Sequence, residues 1–497
     1  MRYLGVDIGS SGSKAAVFDG DGRPVAQAYR EYQPLFLPDE GAELNSDEVL
    51  EACCAVIAEA AAAAGGPVRG VGISSQGEAF TPLGRDGRAL ANGMISSDAR
   101  AAAYARDWSR AFGVDKLYRI TGHTAHPMFS LFKLLWLKEH RPEVFSKAWK
   151  FLCFEDLLQH RLGLDPALGW PLAGRTMLFD VTRHAWSAEI LAAVGLRPDQ
   201  LARPLASGSV AGRIPAAVAR GLGLPPDTPV VAGGHDQVCS ALGAGVTEPG
   251  RAGYATGTVE CITPAFDRAV FAPALQAANL CTYDHAVRGL YATVAFSLTG
   301  GNLLRWVRDE FGQRERDEAA RGGASAYELL LRQIGDQPAG LLVLPYFTPS
   351  GTPYFDTETK GAILGLRLST TRGEFIRGLL EGVAFEMRLN LDILEQAGCR
   401  ITELRATGGG AQSAAWNQLK ADVIGKPLAA LNVTEAGCLG AALLACAADT
   451  GAPVRELAAR WIRPAAIVPP RAEHAAWYAQ RFALYRELHP RLRALRV

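Results

Sequence analysis

At 497 residues, 48% of them hydrophobic, the chain is too long for one ordinary core and apolar enough to build two large ones. Its 51 basic and 51 acidic side chains cancel, so no global field draws it to nucleic acid or to an anionic membrane. Asp7 interrupts the first apolar stretch and no continuous apolar run reaches the ~18 residues of a membrane span, so a soluble, cytoplasmic protein is expected.

In chain order, the first 32 residues alternate as a β-meander. Tyr3 to Ile8, Lys14 to Phe18 and Pro24 to Tyr32 read as strands separated by Gly/Ser and Asp-Gly turns. Apolar side chains at helical spacing predict a helix over 46–64, stopped by Gly65-Gly66 and followed by a strand from Val68 to Ser74. Helices dominate from about Ala99 to Arg161. A second strand cluster, Tyr254 to Pro264 and Leu290 to Ala295, precedes helices at 301–311 and 372–396. Then come a strand at Glu403 to Thr407, a glycine cluster, and helices at 414–424 and 437–450. Strand clusters followed by helices thus occur twice, which predicts two α/β domains rather than one barrel, over 1–246 and 247–497. The Arg/Glu-rich stretch from Gln313 to Ser325 reads as a solvated loop. The nine cysteines show neither CxxC nor metal-ligand spacing and are expected to be free thiols.

Asp7-Ile8-Gly9-Ser10-Ser11-Gly12-Ser13-Lys14 joins two strands through small residues, hydroxyls and a cation. Such a turn can bring backbone N–H groups against phosphate oxygens, because no bulky Cβ blocks the approach. Lys14 would add a point charge, and Asp7 could hold magnesium through water. On composition alone the segment could equally be a plain hairpin. Neither GxxxxGK[ST] nor GxGxxG before a helix is present, so P-loop and Rossmann readings fall away.

These motifs, with Met128 to Leu137, Gly361 to Leu366 followed by Glu374-Phe375 and Leu379-Leu380-Glu381, and Gly408 to Ser413 followed by Trp416, resemble the FGGY carbohydrate kinase family over nearly the whole chain. The resemblance implies two actin-like domains with ribonuclease-H-like sheets around a cleft, sugar held mostly by the first and adenosine by the second. It implies transfer of the ATP terminal phosphate to a hydroxyl of a small sugar or polyol, with Mg2+ as cofactor and no nucleic-acid or membrane partner. A homodimer is left open.

Carried over residue by residue, the resemblance makes Asp236, after the strand Pro229 to Gly234, the general base; a plain helix N-cap is the alternative. Gly9, Ser10, Ser11, Gly12 and Lys14 would meet phosphate, as would Gly257 and Thr258 of a second turn. Gly301, Gly409 and Gly410 would line the nucleotide site. Gln76, Glu78, Asp98, Met128, Asp236 and Gln237 would face the sugar, with Asp98 and Arg100 equally able to form a structural ion pair. Gly77 and Met128 depart from the glycerol kinase pattern, Ser96 from a common tryptophan, and His235 resembles deoxyketose kinases. The acceptor is therefore left among ketoses, deoxyketoses, glycerol or other polyols, and sugar acids. A catalytically silent sugar- and nucleotide-binding sensor is the reading from another class. The hinge is expected near Val246 to Gly253 and around Glu381.

Overall fold

The computed structural model describes residues 1–495. Its first sheet runs, in spatial order, through Val210–Arg213, Pro229–His235, Val68–Ser75, Arg2–Ile8, Gly12–Asp19 and Pro24–Glu31. The last three strands are antiparallel neighbours, whereas Arg2–Ile8, Val68–Ser75 and Pro229–His235 are parallel. The second large sheet repeats this order. Arg251–Thr256 pairs antiparallel with Glu260–Phe266, which pairs antiparallel with Ala295–Ser297. On its other side Arg251–Thr256 runs parallel to Glu403–Thr407, and that strand parallel to Leu428–Leu431. Two sheets with three antiparallel strands and two further parallel ones have the ribonuclease-H-like order.

Helix Ser46–Ala63 begins where Asn45 accepts hydrogen bonds from the Asp47 and Glu48 backbone, and it packs on the meander. The halves are joined by Ala436–Thr450, a helix of small residues that belongs to the second half in sequence but buries itself in the first half's core. Its backbone lies directly on the first sheet: a Cβ at Gly5 would stand 1.8 Å from the Cys438 carbonyl oxygen, and one at Gly72 2.0 Å from that of Ala441. Only glycine permits that approach. Cys281, Tyr283, Ala286, Leu290, Ala292 and Val294 also join the first half's core, as do Leu457, Ala458, Trp461 and Ile462, so the second half sends several segments across the expected boundary at 246.

Several expected elements change. Tyr254 to Pro264, read as one strand, is a hairpin turning at Gly257-Thr258-Val259, where the Gly257 N–H donates to the Val259 carbonyl. Leu290 to Ala295 breaks into Tyr291–Ala292 and Ala295–Ser297. Gln313 to Ser325 is not a loop: Gln313–Ala320 is helical, supported by a Gln313–Asp317 hydrogen bond at i,i+4 and by buried Glu315, which pairs with Arg372. Glu381, where flexing was expected, is locked inside helix Arg372–Gln396, accepting from Arg377, Tyr478 and the Ala339 N–H.

Candidate active site

Register brings the first set of candidate residues together. Asp7 and Gly234 both stand opposite Ser74 in the parallel ladders, so the carboxyl ends of three adjacent strands open at one edge, the edge at which open α/β sheets receive ligands. Asp7 accepts from the Ser74 hydroxyl at 2.7 Å. Burial, countered by Ser74 and Lys14, raises its pKa above the ordinary carboxylate value. After Gly234 the chain turns, and Asp236 becomes the first residue of helix Asp236–Gly243, one position past the N-cap His235. The preceding strand end is pinned by buried Glu155, which accepts from the Gly233 and Gly169 N–H groups at 3.0 and 3.2 Å.

A cavity of about 290 Å³ opens here. Gln76, Glu78, Met128, Asp236 and Gln237 line it, together with Ser10 of the Gly/Ser turn. Burial first, then the negative charges of Asp7 and Glu78, push the Asp236 carboxyl up to about 7. No lysine or arginine pairs with it among the described residues, and its Oδ1, 3.2 Å from His235 Nε2, has no hydrogen-bond donor. Tyr283 holds the other His235 nitrogen, Nδ1, at 2.9 Å. Glu78, Asn279 and Phe355 of the lining have φ of 62°, 55° and 49°, a backbone region that side-chain-bearing residues adopt at a cost and that concentrates at functional sites.

A second pocket, of about 330 Å³, gathers Gly257, Thr258, Gly301, Gly409 and Gly410 with the apolar walls Leu304, Tyr327, Leu331 and Trp416. Its floor forms because Ala255 stands opposite Thr407, which sets the turn after one strand beside the glycines after the other. Buried Lys420 supports it from below, donating to Thr256 Oγ1 at 2.6 Å and pairing with Glu260 at 2.7 Å. The glycines differ in what they admit. A Cβ at Gly410 would meet Thr256 Cγ2 at 2.2 Å and Trp416 at 2.9 Å, and one at Gly301 the Gly257 carbonyl oxygen at 2.4 Å, whereas Gly409 faces open space. The protein itself, rather than a ligand, therefore forbids a side chain at Gly410.

Other candidates lie elsewhere. Asp98 does not line the cavity; it is fully buried, bound to Arg100 and accepting from the Ala42 N–H, with Glu43 completing the cluster. That is the structural ion pair held as the alternative. Lys14 reaches across to Glu435 of the second half at 2.8 Å. Gly9 closes the turn through its N–H to the Gly12 carbonyl, Gly12 lies beneath the Tyr29 ring, and Ser11 accepts from the Tyr32 N–H. Sequence reading missed Arg175, His123 and Asn279 in the first cavity, Tyr283 behind its wall residue His235, and Arg305 and Tyr327 in the second. None sits in a recognisable motif, and Asn279 and Tyr283 arrive from the second half. Among the described residues no group of three His, Cys, Asp or Glu side chains is arranged to hold a metal, and no helix is long and apolar enough to cross a membrane.

Two ribonuclease-H-like halves, each with small-residue turns at its strand ends, define a two-domain actin-like α/β protein. The chain belongs to the FGGY family of carbohydrate kinases: the family's N-terminal domain matches residues 2–243 and its C-terminal domain residues 255–448. It is 28% identical over 496 residues to a xylulose kinase of Bacillus subtilis (strain 168), covering 98% of this chain and 97% of that one. A glycerol kinase of Methylibium petroleiphilum is 31% identical over 482 residues, covering 93% and 94%. A crystal structure of a "xyloylose kinase" from Brucella ovis superposes with a TM-score of 0.89 at 27% identity, covering all of both chains.

Proposed function

We propose that this carbohydrate kinase transfers the terminal phosphate of ATP to a hydroxyl of a small sugar or polyol held in the first cavity, with Asp236 as general base. The observation that carries the reading is a carboxylate without a cationic partner at the wall of an open cavity of mixed polar and apolar lining, in the half opposite a glycine-floored, aromatic-walled pocket. The acceptor oxygen attacks the γ-phosphorus, its proton passes to Asp236, and the bond to the β-phosphate oxygen breaks with its electron pair leaving on ADP. Because such a transition state is loose, alignment and charge neutralisation carry most of the rate, and a weak base suffices.

Trp416, Tyr327 and the two leucines suit an adenine ring, and Thr258 with the Gly257 turn suits phosphate oxygens. Asp7, one buried carboxylate with a raised pKa, fits magnesium held largely by water and phosphate, which would supply charge neutralisation when bound. The domains are proposed as 1–246 and 247–497, hinged within 246–253. Closure would exclude water, the competing phosphoryl acceptor. The test is ADP release over a panel of sugars and polyols with ATP and magnesium. Stimulation by at least one acceptor is expected; binding of sugar and ATP without any ADP release would leave a sensor instead.

A further inference from the structure

Resting on the reading of the first cavity as the acceptor site, we infer that the acceptor is uncharged, a polyol or a keto sugar, and that the Glu78–Arg175 pair excludes sugar carboxylates. Binding a carboxylate out of bulk water requires an unspent cation or N–H cluster. Arg175 is the one lysine or arginine lining the cavity among the described residues. Its Nε and Nη2 both go to Glu78 Oε1, and Nη1 faces the Cys281 sulfur at 3.9 Å. The guanidinium lies over the rings of Phe129 and Tyr283, 5.0 and 5.6 Å from their centroids. The other Glu78 oxygen accepts from the Ser96 hydroxyl at 2.7 Å. With the two side chains 9% and 4% exposed, the pair is a closed neutral unit.

The remaining charge in the cavity is negative. Burial, then the charge of Arg175, holds His123 and His235 far below the ordinary imidazole pKa, so both are neutral near pH 7. Asp236, ionised above about pH 7, is the unpaired charge. A carboxylate placed beside it would add a second negative charge with nothing to compensate either.

The hydrogen-bonding capacity points the same way. Gln76 Nε2 donates to the Gly9 carbonyl at 2.8 Å, which leaves Oε1 as a buried acceptor with no donor. His123 Nδ1 donates to the Thr121 carbonyl at 2.7 Å, which leaves Nε2 likewise. Two orphaned acceptors call for donors. Hydroxyls supply them, whereas an ionised carboxylate set against these two residues would supply none, so this end of the cavity takes hydroxyls and the exclusion of acids rests on charge.

Calorimetry on the full-length enzyme without nucleotide tests this, using xylitol, ribitol, D-xylulose, D-ribulose and glycerol against D-gluconate and D-xylonate. At least one neutral compound should bind about 100-fold more tightly than either acid. Glu78→Gln, which frees the guanidinium, should narrow the gap about 10-fold or more. Tighter binding of an acid by the wild type, an unchanged gap in the variant, or no binding by either class at about 10 mM overturns the inference. Neutral binding without ADP release on adding ATP and magnesium supports it while removing the kinase reading, so the two failures are separable.

Discussion

Asp236→Asn changes one atom and separates the chemistry of this site from its packing. A neutral amide cannot take the acceptor's proton, so turnover should fall about 100-fold or more, the range for a positioned general base, equivalent to about 2.7 kcal/mol of barrier. The same change should stabilise the fold at alkaline pH. A carboxyl whose folded pKa is raised from 3.8 to about 7 keeps its proton in the folded state where the unfolded chain has lost it. Stability is therefore full below pH 3.8, declines as pH rises to about 7, and stays reduced above. The shift amounts to about 4 kcal/mol at about 1.4 kcal/mol per unit. The side chain is 28% exposed to the cavity, and water screening reduces this to roughly 2 kcal/mol. ADP release at saturating substrates and thermal denaturation at pH 5 and pH 8 read the two effects. The variant should be nearly inactive, with a melting temperature raised more at pH 8 than at pH 5. Wild-type turnover would refute the base assignment, and a lower melting temperature at pH 8 would refute the uncompensated charge.

The pH profile of kcat/KM should rise through about pH 7 as Asp236 loses its proton, because only the carboxylate can accept the hydroxyl hydrogen; a profile flat from pH 5.5 to 8 speaks against it. Gly409→Leu, whose side chain enters open space in the second pocket, should raise KM for ATP about 10-fold with the melting temperature unchanged. Gly410→Val, forced against Thr256 and Trp416, should lower the melting temperature; the reverse pattern would show that the pocket lies elsewhere. Lys420→Met leaves Glu260 buried and unpaired and should cost about 3–5 kcal/mol in denaturant unfolding. Adding Glu260→Gln should restore part of that, and equal instability of the single and double variants would remove the ion pair as the cause.

What the sequence by itself determined were features controlled at short range. The meander was legible because alternation and Asp-Gly turns act within a few residues, and helices 301–311, 372–396 and 414–424 because each shows a continuous apolar face. The glycine turn after 407 was legible as a cluster of small residues at a strand end, and Gly257-Thr258 was reached only through the family resemblance. The hairpin at Gly257 was hidden inside an unbroken run of strand-forming residues, and the helix at 313–320 behind a polarity that its buried partner, Arg372, makes tolerable. Tertiary structure alone decided what each side chain is free to do. Asp98 and Glu78 are both acids that the sequence offered as sugar contacts, yet one is sealed beside Arg100 and the other stands in a cavity paired with an arginine 97 positions away. Gly409 and Gly410 are adjacent, yet one Cβ direction is open and the other blocked by Thr256, brought there by a parallel ladder. Backbone sterics are settled by neighbours along the chain, whereas charge pairing, burial and clearance depend on whichever residues the fold delivers from afar.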